Sequence, residues 1–402
     1  MAVQTTPKDW KETTLGEVAK LAKDQWLPGN ESQKYIGLEH INQGDLHING
    51  FGCSSSLESN KFYFKQGDIL FGKLRPYFRK VWKASFDGIC STDIWVIRAK
   101  EGYDQNFLFY FMANPVLIDK STGASTGTKM PRADWDFLKG TEWLLSPLLE
   151  QKAIAAVLSS FDDKIELLRR QNKTLEKIAQ TIFKEWFVNF TVNGKKLKID
   201  NSTGLPEGWR FEILEKLIDV RDGTHDSPKP TSDGYHLITS RHLSRTGLDF
   251  NNAYLISDSD YNAINKRSKV DRHDILISMI GTVGLLHFVL SEKINFAIKN
   301  IGLFKTSQRP EIAEYIYLFL SSSEGRQNIR VNMAGTTQSY VTLKVLRGIS
   351  LIVPTENILR QFKGTIGPIF QKYYNNYFQI QTLSKLRDTL LPRLMKGEIR
   401  VK

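Results

Sequence analysis

The chain repeats itself. Trp10-Lys11-Glu12-Thr13-Thr14-Leu15 returns as Trp209-Arg210-Phe211-Glu212-Ile213-Leu214, and Gly67-Asp68-Ile69-Leu70 as His273-Asp274-Ile275-Leu276. Gly127-Thr128 returns as Gly335-Thr336, and Gln171-Asn172-Lys173-Thr174-Leu175-Glu176-Lys177-Ile178 as Gln379-Ile380-Gln381-Thr382-Leu383-Ser384-Lys385-Leu386. The matches keep one order, and their offsets drift only from about 199 to about 208 positions, which isolated short matches do not reach by chance. A duplicated chain has a restricted choice of folds: what the first half forms, the second half forms too. The 402 residues are therefore expected to make two similar units, each large enough to bury a core.

Each repeat has a globular part and a helical part. The globular part mixes short β-rich runs with Gly, Ser and Asn turns. Val81-Trp82, Ile94-Trp95-Val96-Ile97 and the run Asp274 to Ile280 read as strands, while Phe107 to Met112 and Ile312 to Leu320 read as buried helices. This predicts an α/β mixed (α+β) class. The boundaries expected are a first globular domain over 1–145, a first long helix over 146–190, a linker over 191–204, a second domain over 205–353, and a second helix with a tail over 354–402.

Ser146-Pro147 reads as a helix start, a capping hydroxyl before a proline at the first helical position. Beyond it Leu158, Phe161, Ile165, Leu168, Asn172, Leu175, Ala179, Ile182 and Trp186 step by three and four alternately, a heptad seam. The corresponding positions of the second repeat are Ile366, Ile369, Tyr373, Asn376, Ile380, Leu383, Arg387, Leu390 and Leu394, with polar breaks at Asn376 and Arg387. Pro392 is expected to end or kink this helix. The pattern fits either two helices each docked on its own domain or two helices packed on each other. A narrow seam held over four heptads favours mutual packing as an antiparallel coiled coil, with Asn172 fixing register. Leu158, Phe161, Ile165, Leu168, Asn172, Leu175 and Ile182 would then face Ile366, Ile369, Tyr373, Ile380, Leu383 and Leu390.

Composition narrows the partner. Lys and Arg number 55 against 43 Asp and Glu, a net charge of +12, which suits a polyanion such as nucleic acid. With Cys53 and Cys90 as the only cysteines and no close Cys/His spacing, neither a disulfide scaffold nor a zinc finger is expected. The first residues lack the apolar core of a signal peptide, and no apolar run is long enough to span a bilayer, so a cytoplasmic protein is expected. Two diverged globular domains on better-matched helices suggest a measuring device. A helix of ~35 residues is ~50 Å long and can hold two DNA-reading domains one or more duplex turns apart. Unlike readers imply an asymmetric site of two unlike halves.

Several stretches resemble a known family. The run Ile69-Leu70-Phe71-Gly72-Lys73-Leu74-Arg75-Pro76-Tyr77-Phe78-Arg79-Lys80-Val81-Trp82, followed by Gly88-Ile89-Cys90-Ser91-Thr92, is similar to the recognition domains of type I restriction–modification specificity subunits. Pro147-Leu148-Leu149-Glu150-Gln151-Lys152-Ala153-Ile154-Ala155, running into Phe161-Asp162-Asp163-Lys164-Ile165, resembles that family's signature helix. Leu205-Pro206-Glu207-Gly208-Trp209 resembles the start of its second domain, and Asp222-Gly223-Thr224-His225-Asp226-Ser227-Pro228-Lys229 is of the same type. Arg360-Gln361 stands where the first helix has Glu150-Gln151, so the signature is weaker there. The resemblance implies that each domain reads one half of a bipartite site in double-stranded DNA. It also implies that the paired helices set the spacer and dock two methyltransferase subunits, which use S-adenosylmethionine. Two motor-nuclease subunits, using ATP and Mg, would complete the restriction form. No cofactor, metal or membrane is expected for this chain itself.

Chemistry of its own is not legible. An amino-methyltransferase needs Asn or Asp before Pro-Pro and an aromatic residue, and Asn114-Pro115-Val116 lacks it. Gly123 to Lys129 has the wrong order for a phosphate loop. Glu150-Gln151-Lys152 and Asp162-Asp163-Lys164 match half a nuclease motif but read as charged helix faces. Hence no catalytic residue is assigned. DNA-contact candidates are Lys73, Arg75, Arg79, Lys83, Lys129 and Arg132 in the first domain. In the second they are Arg221, Thr224, His225, Lys229, Arg241, Lys266, Arg267 and Gln338, the last able to pair bidentately with adenine. Two rivals stay open: a single-chain nuclease, which methyl transfer by the chain alone would revive, and a protein-binding scaffold, which would show no salt-sensitive DNA binding.

Overall fold

A computed structural model describes residues 9–125, 127, 130–244, 247–250, 252–335 and 339–401, the side chain of Ser56 excepted. Its contacts divide the chain into residues 1–169 with 378–402, and residues 170–377. This division differs from the domain-then-helix boundaries read from the sequence, because each long helix contributes to both units.

In the first unit, the strands Ala19–Ala22, Ile94–Ala99, Ile69–Gly72 and Val81–Lys83 form an antiparallel sheet in that order. A second sheet contains a parallel pair, Lys34–Ile36 with Gly88–Cys90. Lys11–Thr14 pairs with Glu142–Leu145. Every residue of Ile69–Gly72 is buried, and the two-residue alternation of a strand explains where each side chain goes. Ile69 and Phe71 join the core built around helix Gln105–Ala113, while Leu70 joins Ile36, Phe64 and Trp82 on the other side. The helix itself starts where the Asp104 carboxylate accepts the Phe107 N–H at 2.8 Å.

The second unit repeats this plan. Val220–Asp222, Ile301–Phe304, Ile275–Ser278 and Leu286–Phe288 form the matching sheet in the matching order. Tyr235–Thr239 and Phe296–Lys299 form the matching parallel pair, and Arg210–Ile213 pairs with Ser350–Val353. An ion pair on a buried aspartate recurs as well. Asp68 takes two hydrogen bonds from Arg98, at 2.7 and 2.8 Å. Asp274, fully buried, takes Lys305 Nζ at 2.5 Å. Both units are α/β mixed domains, so the repeat in the sequence is a repeat in the fold. Residues 191–204, expected as linker, hold a hairpin of Thr191–Val192 with Lys195–Lys196. It turns through Asn193 and Gly194, both at positive φ, as a two-residue hairpin loop requires.

The long helices span Leu148–Phe187 and Glu356–Met395. Their ends differ from the sequence reading. Ser146 does not cap: its hydroxyl is buried without a hydrogen-bond partner among the described residues. The Pro147 carbonyl accepts the Gln151 N–H at 2.9 Å, so the proline precedes the first helical residue. The second helix runs through Pro392 to Met395, since a proline disrupts only the bonds one turn before it and the flanking turns hold.

Within each unit the two helices run antiparallel. In the first, Ile165 and Leu168 pack with Ile380 and Leu383, and Leu158 shares a core with Leu391, Leu394 and the half-buried Leu390. Arg387, expected as a polar break, is 1% exposed. Its guanidinium donates to Asp162 at 2.5 Å, and Asp162 also accepts the Tyr110 hydroxyl at 2.6 Å. Phe161 is half-buried. In the second unit, Asn376 Nδ2 donates to Asn172 Oδ1 at 2.9 Å. Ala179, Phe183, Trp186 and Phe187 share a core with Phe362, Ile366 and Phe370, while Leu175, Ile182, Ile369 and Tyr373 are half-buried. The seam read from the sequence omitted Phe183, Phe187, Phe362 and Phe370, which lie beside it and form much of its aromatic packing.

Candidate nucleic-acid interface

In the first unit four candidates gather at one edge. The Lys73 carbonyl accepts the Ala133 N–H at 2.9 Å, Leu74 bridges to Arg132, and the Arg75 N–H donates to the Pro131 carbonyl at 2.7 Å. These bonds bring the loop after Ile69–Gly72 to residues 130–133. Arg75 and Arg79 flank the short helix Pro76–Phe78, and both are left-handed, at φ 52° and 51°. Non-glycine residues there cost about 1 kcal/mol each. The Arg79 Nε is buried without a hydrogen-bond partner among the described residues, a cationic donor still to be satisfied. The exposed Tyr77 ring packs on Phe78, 4.7 Å between centroids.

Beside this turn a pocket is lined by Lys73, Arg132, Trp95 and Trp135. Trp95 stacks on Phe71 at 5.6 Å and meets Trp135 edge-on at 5.5 Å. Arg132 reaches Asp93 at 3.3 Å but stays half exposed. Cations beside aromatic faces suit phosphates and bases. Lys83 is not part of this edge. It lies opposite Ile69, at the far end of the strand pair, and donates to Asn106 at 2.8 Å. Lys129 lies outside the described residues.

In the second unit the candidates collect elsewhere, after Val220–Asp222. The Asp222 carboxylate, 8% exposed, accepts from Arg267 and meets His225 Nε2 at 3.2 Å. His225 Nδ1 lies 2.8 Å from Asn300 Oδ1. Arg221 donates to Asp219 at 2.5 Å and to the Arg267 carbonyl at 3.3 Å. The Arg221 and Gln308 hydrogen bonds hold the Asp219 carboxyl below its usual range. The Thr224 hydroxyl accepts the Asp226 N–H at 3.1 Å. Ser240 donates to the Asn300 carbonyl at 2.6 Å, which brings the exposed Arg241 near the same loop. Lys229 and Lys266 are exposed. Gln338 lies outside the described residues.

The sequence reading therefore chose different places in the two units. The true counterpart of the Lys73–Arg79 edge is residues 279–285, where Ile280 bridges to Tyr340 as Leu74 does to Arg132. Thr282 and Tyr340, both exposed there, were missed because that segment carries no basic residue. Trp95 and Trp135 were missed because each reads as core. The available signal was the repeat itself, extended from motif to loop.

Comparison with known proteins matches this duplicated plan. The model of the type I restriction modification DNA specificity domain matches residues 7–177 and again 206–387. The chain is 28% identical to the type I restriction enzyme MjaIX specificity subunit of Methanocaldococcus jannaschii, over 98% of this chain and 94% of that one. It is 24% identical to the HindI specificity subunit of Haemophilus influenzae, over 97% and 100%. The solved S subunit of a type I restriction–modification system from M. genitalium is similar in fold, with a TM-score of 0.53 at 15% identity, covering 98% of this chain and 97% of that one. One family model recognises both repeats, and the chain belongs to the type I restriction–modification DNA specificity family.

Proposed function

We infer that this chain is the sequence-specificity subunit of a type I restriction–modification enzyme and performs no catalysis itself. Its two recognition domains each read one half of an asymmetric bipartite DNA site. The observation that carries this is the separate match of the family model to each repeat, joined to the unlike edges of the two units. One presents Lys73, Arg75, Arg79 and paired tryptophans; the other presents Thr282 and Tyr340 at the same place. Like folds with unlike faces read unlike sequences.

The helix pair sets the spacer and docks two methyltransferase subunits, and two motor-nuclease subunits join in the restriction form. S-adenosylmethionine, ATP and Mg act in those partners. No helix among the described residues is long and apolar enough to cross a membrane, and the complex works in the cytoplasm, where its DNA lies. The test is adenine-methylation mapping of host DNA with and without this gene. A bipartite methylated motif that disappears on deletion is expected, together with no methyl transfer by the purified chain. Methylation by the chain alone, or an unchanged methylome, overturns the reading.

A further inference from the structure

The first unit ties its reading edge to the helix pair through one ion pair. Arg169, on the first long helix, places Nη2 2.8 Å from each carboxylate oxygen of Asp45. The two side chains are only 22% and 27% exposed. Asp45 sits in a loop closed by the Asn42 N–H on the His47 carbonyl, at 2.9 Å, and by Asn42 Nδ2 on Asp45 itself, at 3.1 Å. The Gly44 N–H donates onward to the Arg79 carbonyl at 3.3 Å, and Lys80 Nζ to the Leu38 carbonyl at 2.5 Å. The loop thus backs the turn that carries Arg75 and Arg79. Burial pushes the Asp45 carboxyl up, but the charges of Arg169 and His47 outweigh it and hold it below the usual range.

The second unit has a counterpart at the same place. The short helices Leu38–His40 and Ser240–His242 correspond, because in each the histidine Nδ1 accepts the backbone N–H three residues earlier, from Gly37 at 2.9 Å and from Thr239 at 3.1 Å. Five residues on from these histidines lie Asp45 and Gly247. The seam aligns Leu168 with Asn376, so Arg169 corresponds to Tyr377. The Tyr377 ring lies against Gly247 so closely that a Cβ there would sit 2.6 Å from its hydroxyl. The Leu248 backbone hydrogen-bonds that hydroxyl. One position therefore carries an ion pair in the first unit and a ring on a glycine in the second.

We propose that Arg169 and Tyr377 are positioning residues for DNA reading, each latching the loop behind its own domain's reading edge to the helix that supports it. This rests on the specificity function inferred above. The latches act locally: loss of one loosens one reader. They are also keyed, since an arginine at 377 finds no acid at Gly247 and a tyrosine at 169 brings no positive charge to Asp45.

The test uses the full chain in its assembled complex with the methyltransferase partners. The probe is a plasmid library with randomised inserts, whose methylated sites are sequenced. Arg169→Ala is expected to relax discrimination about tenfold at one or more positions of one half-site and to leave the other half unchanged. Amide exchange of the purified variant should accelerate at Asn42 and Gly44 and not in the second unit. Arg169→Lys should recover part of the discrimination, and the reversed pair Asp45→Arg with Arg169→Asp more of it. Tyr377→Ala should relax the other half-site. Equal relaxation of both halves, or unchanged discrimination in a soluble Arg169→Ala complex, overturns the latch while the specificity function stands. A wild-type complex that methylates no defined sequence overturns both.

Discussion

A single buried charge shows how much one residue can decide. Lys305 is 4% exposed and holds Asp274, itself fully buried, at 2.5 Å. Two backbone N–H groups, of Asp271 and Ser307, complete the carboxylate's hydrogen bonds at 2.7 and 3.1 Å. Lys305→Met removes the one full positive charge bonded to Asp274 among the described residues and leaves a buried anion, at a cost of about 3–5 kcal/mol. Urea denaturation should show that loss, and Lys305→Arg should show less of it. A second residue sets a pH limit. Burial pushes the His287 imidazole down to about 4, whereas the unfolded chain binds a proton near the ordinary histidine value of about 6.5. The folded value is the lower one, so the unfolded state binds more protons between them. The stability held by neutral His287 is then complete above about pH 6.5 and is lost as pH falls toward 4. The denaturation midpoint should drop between pH 7 and 4.5, and His287→Gln should flatten that drop. On the surface, the exposed Lys229 is a phosphate candidate. Lys229→Ala should weaken binding to all duplexes alike and lower the salt slope by about one unit, measured by titration at several salt concentrations. A base-selective effect would assign it a different role.

At the scale of elements, the helix pair supports the most direct test of the proposed spacer. The helices are antiparallel, so a heptad inserted in one alone breaks the match between Asn172 and Asn376 and should lower stability. Seven residues inserted in both, after Asn172 and before Asn376, keep the seam and add about 10 Å, or about three base pairs. The methylated motif should then keep both half-sites and lengthen its gap by about that amount. An unchanged gap would remove the ruler. The seam was legible because a three-four step is imposed by packing and survives in sequence as bare spacing. Its ends and exceptions were not. Ser146-Pro147 has a capping pattern, but the Ser146 hydroxyl caps nothing among the described residues. Arg387 looked like a break because its partner Asp162 lies on the other helix, far along the chain. The same limit applies to the candidate interface. Basic residues can be picked by type, but whether Arg267 is already engaged by Asp222, or Lys83 by Asn106, depends on contacts that no local pattern records.

At the scale of the whole molecule, duplication followed by divergence makes the readers exchangeable, and the two latches set a condition on the exchange. The sheets, the parallel strand pair and the histidine-closed short helices are common to both units, so a recognition domain from a relative should fold on this chain's helices. Replacing residues 1–145 is expected to change one half of the methylated motif and spare the other. The graft must also meet Arg169. A donor domain with an acid at the place of Asp45 restores the 2.8 Å ion pair and should read its own half-site at full discrimination. A donor with glycine there leaves Arg169 without its carboxylate and should read the same bases more loosely. Arg169→Tyr in that second chimera should then sharpen the half-site, because it recreates the packing of Tyr377 on Gly247. Methylome sequencing of the two chimeras, each with Arg or Tyr at 169, gives four motifs to compare. If both half-sites change in any of them, the readers are not independent modules. If discrimination ignores residue 169 in all four, the helices support the readers without keying them.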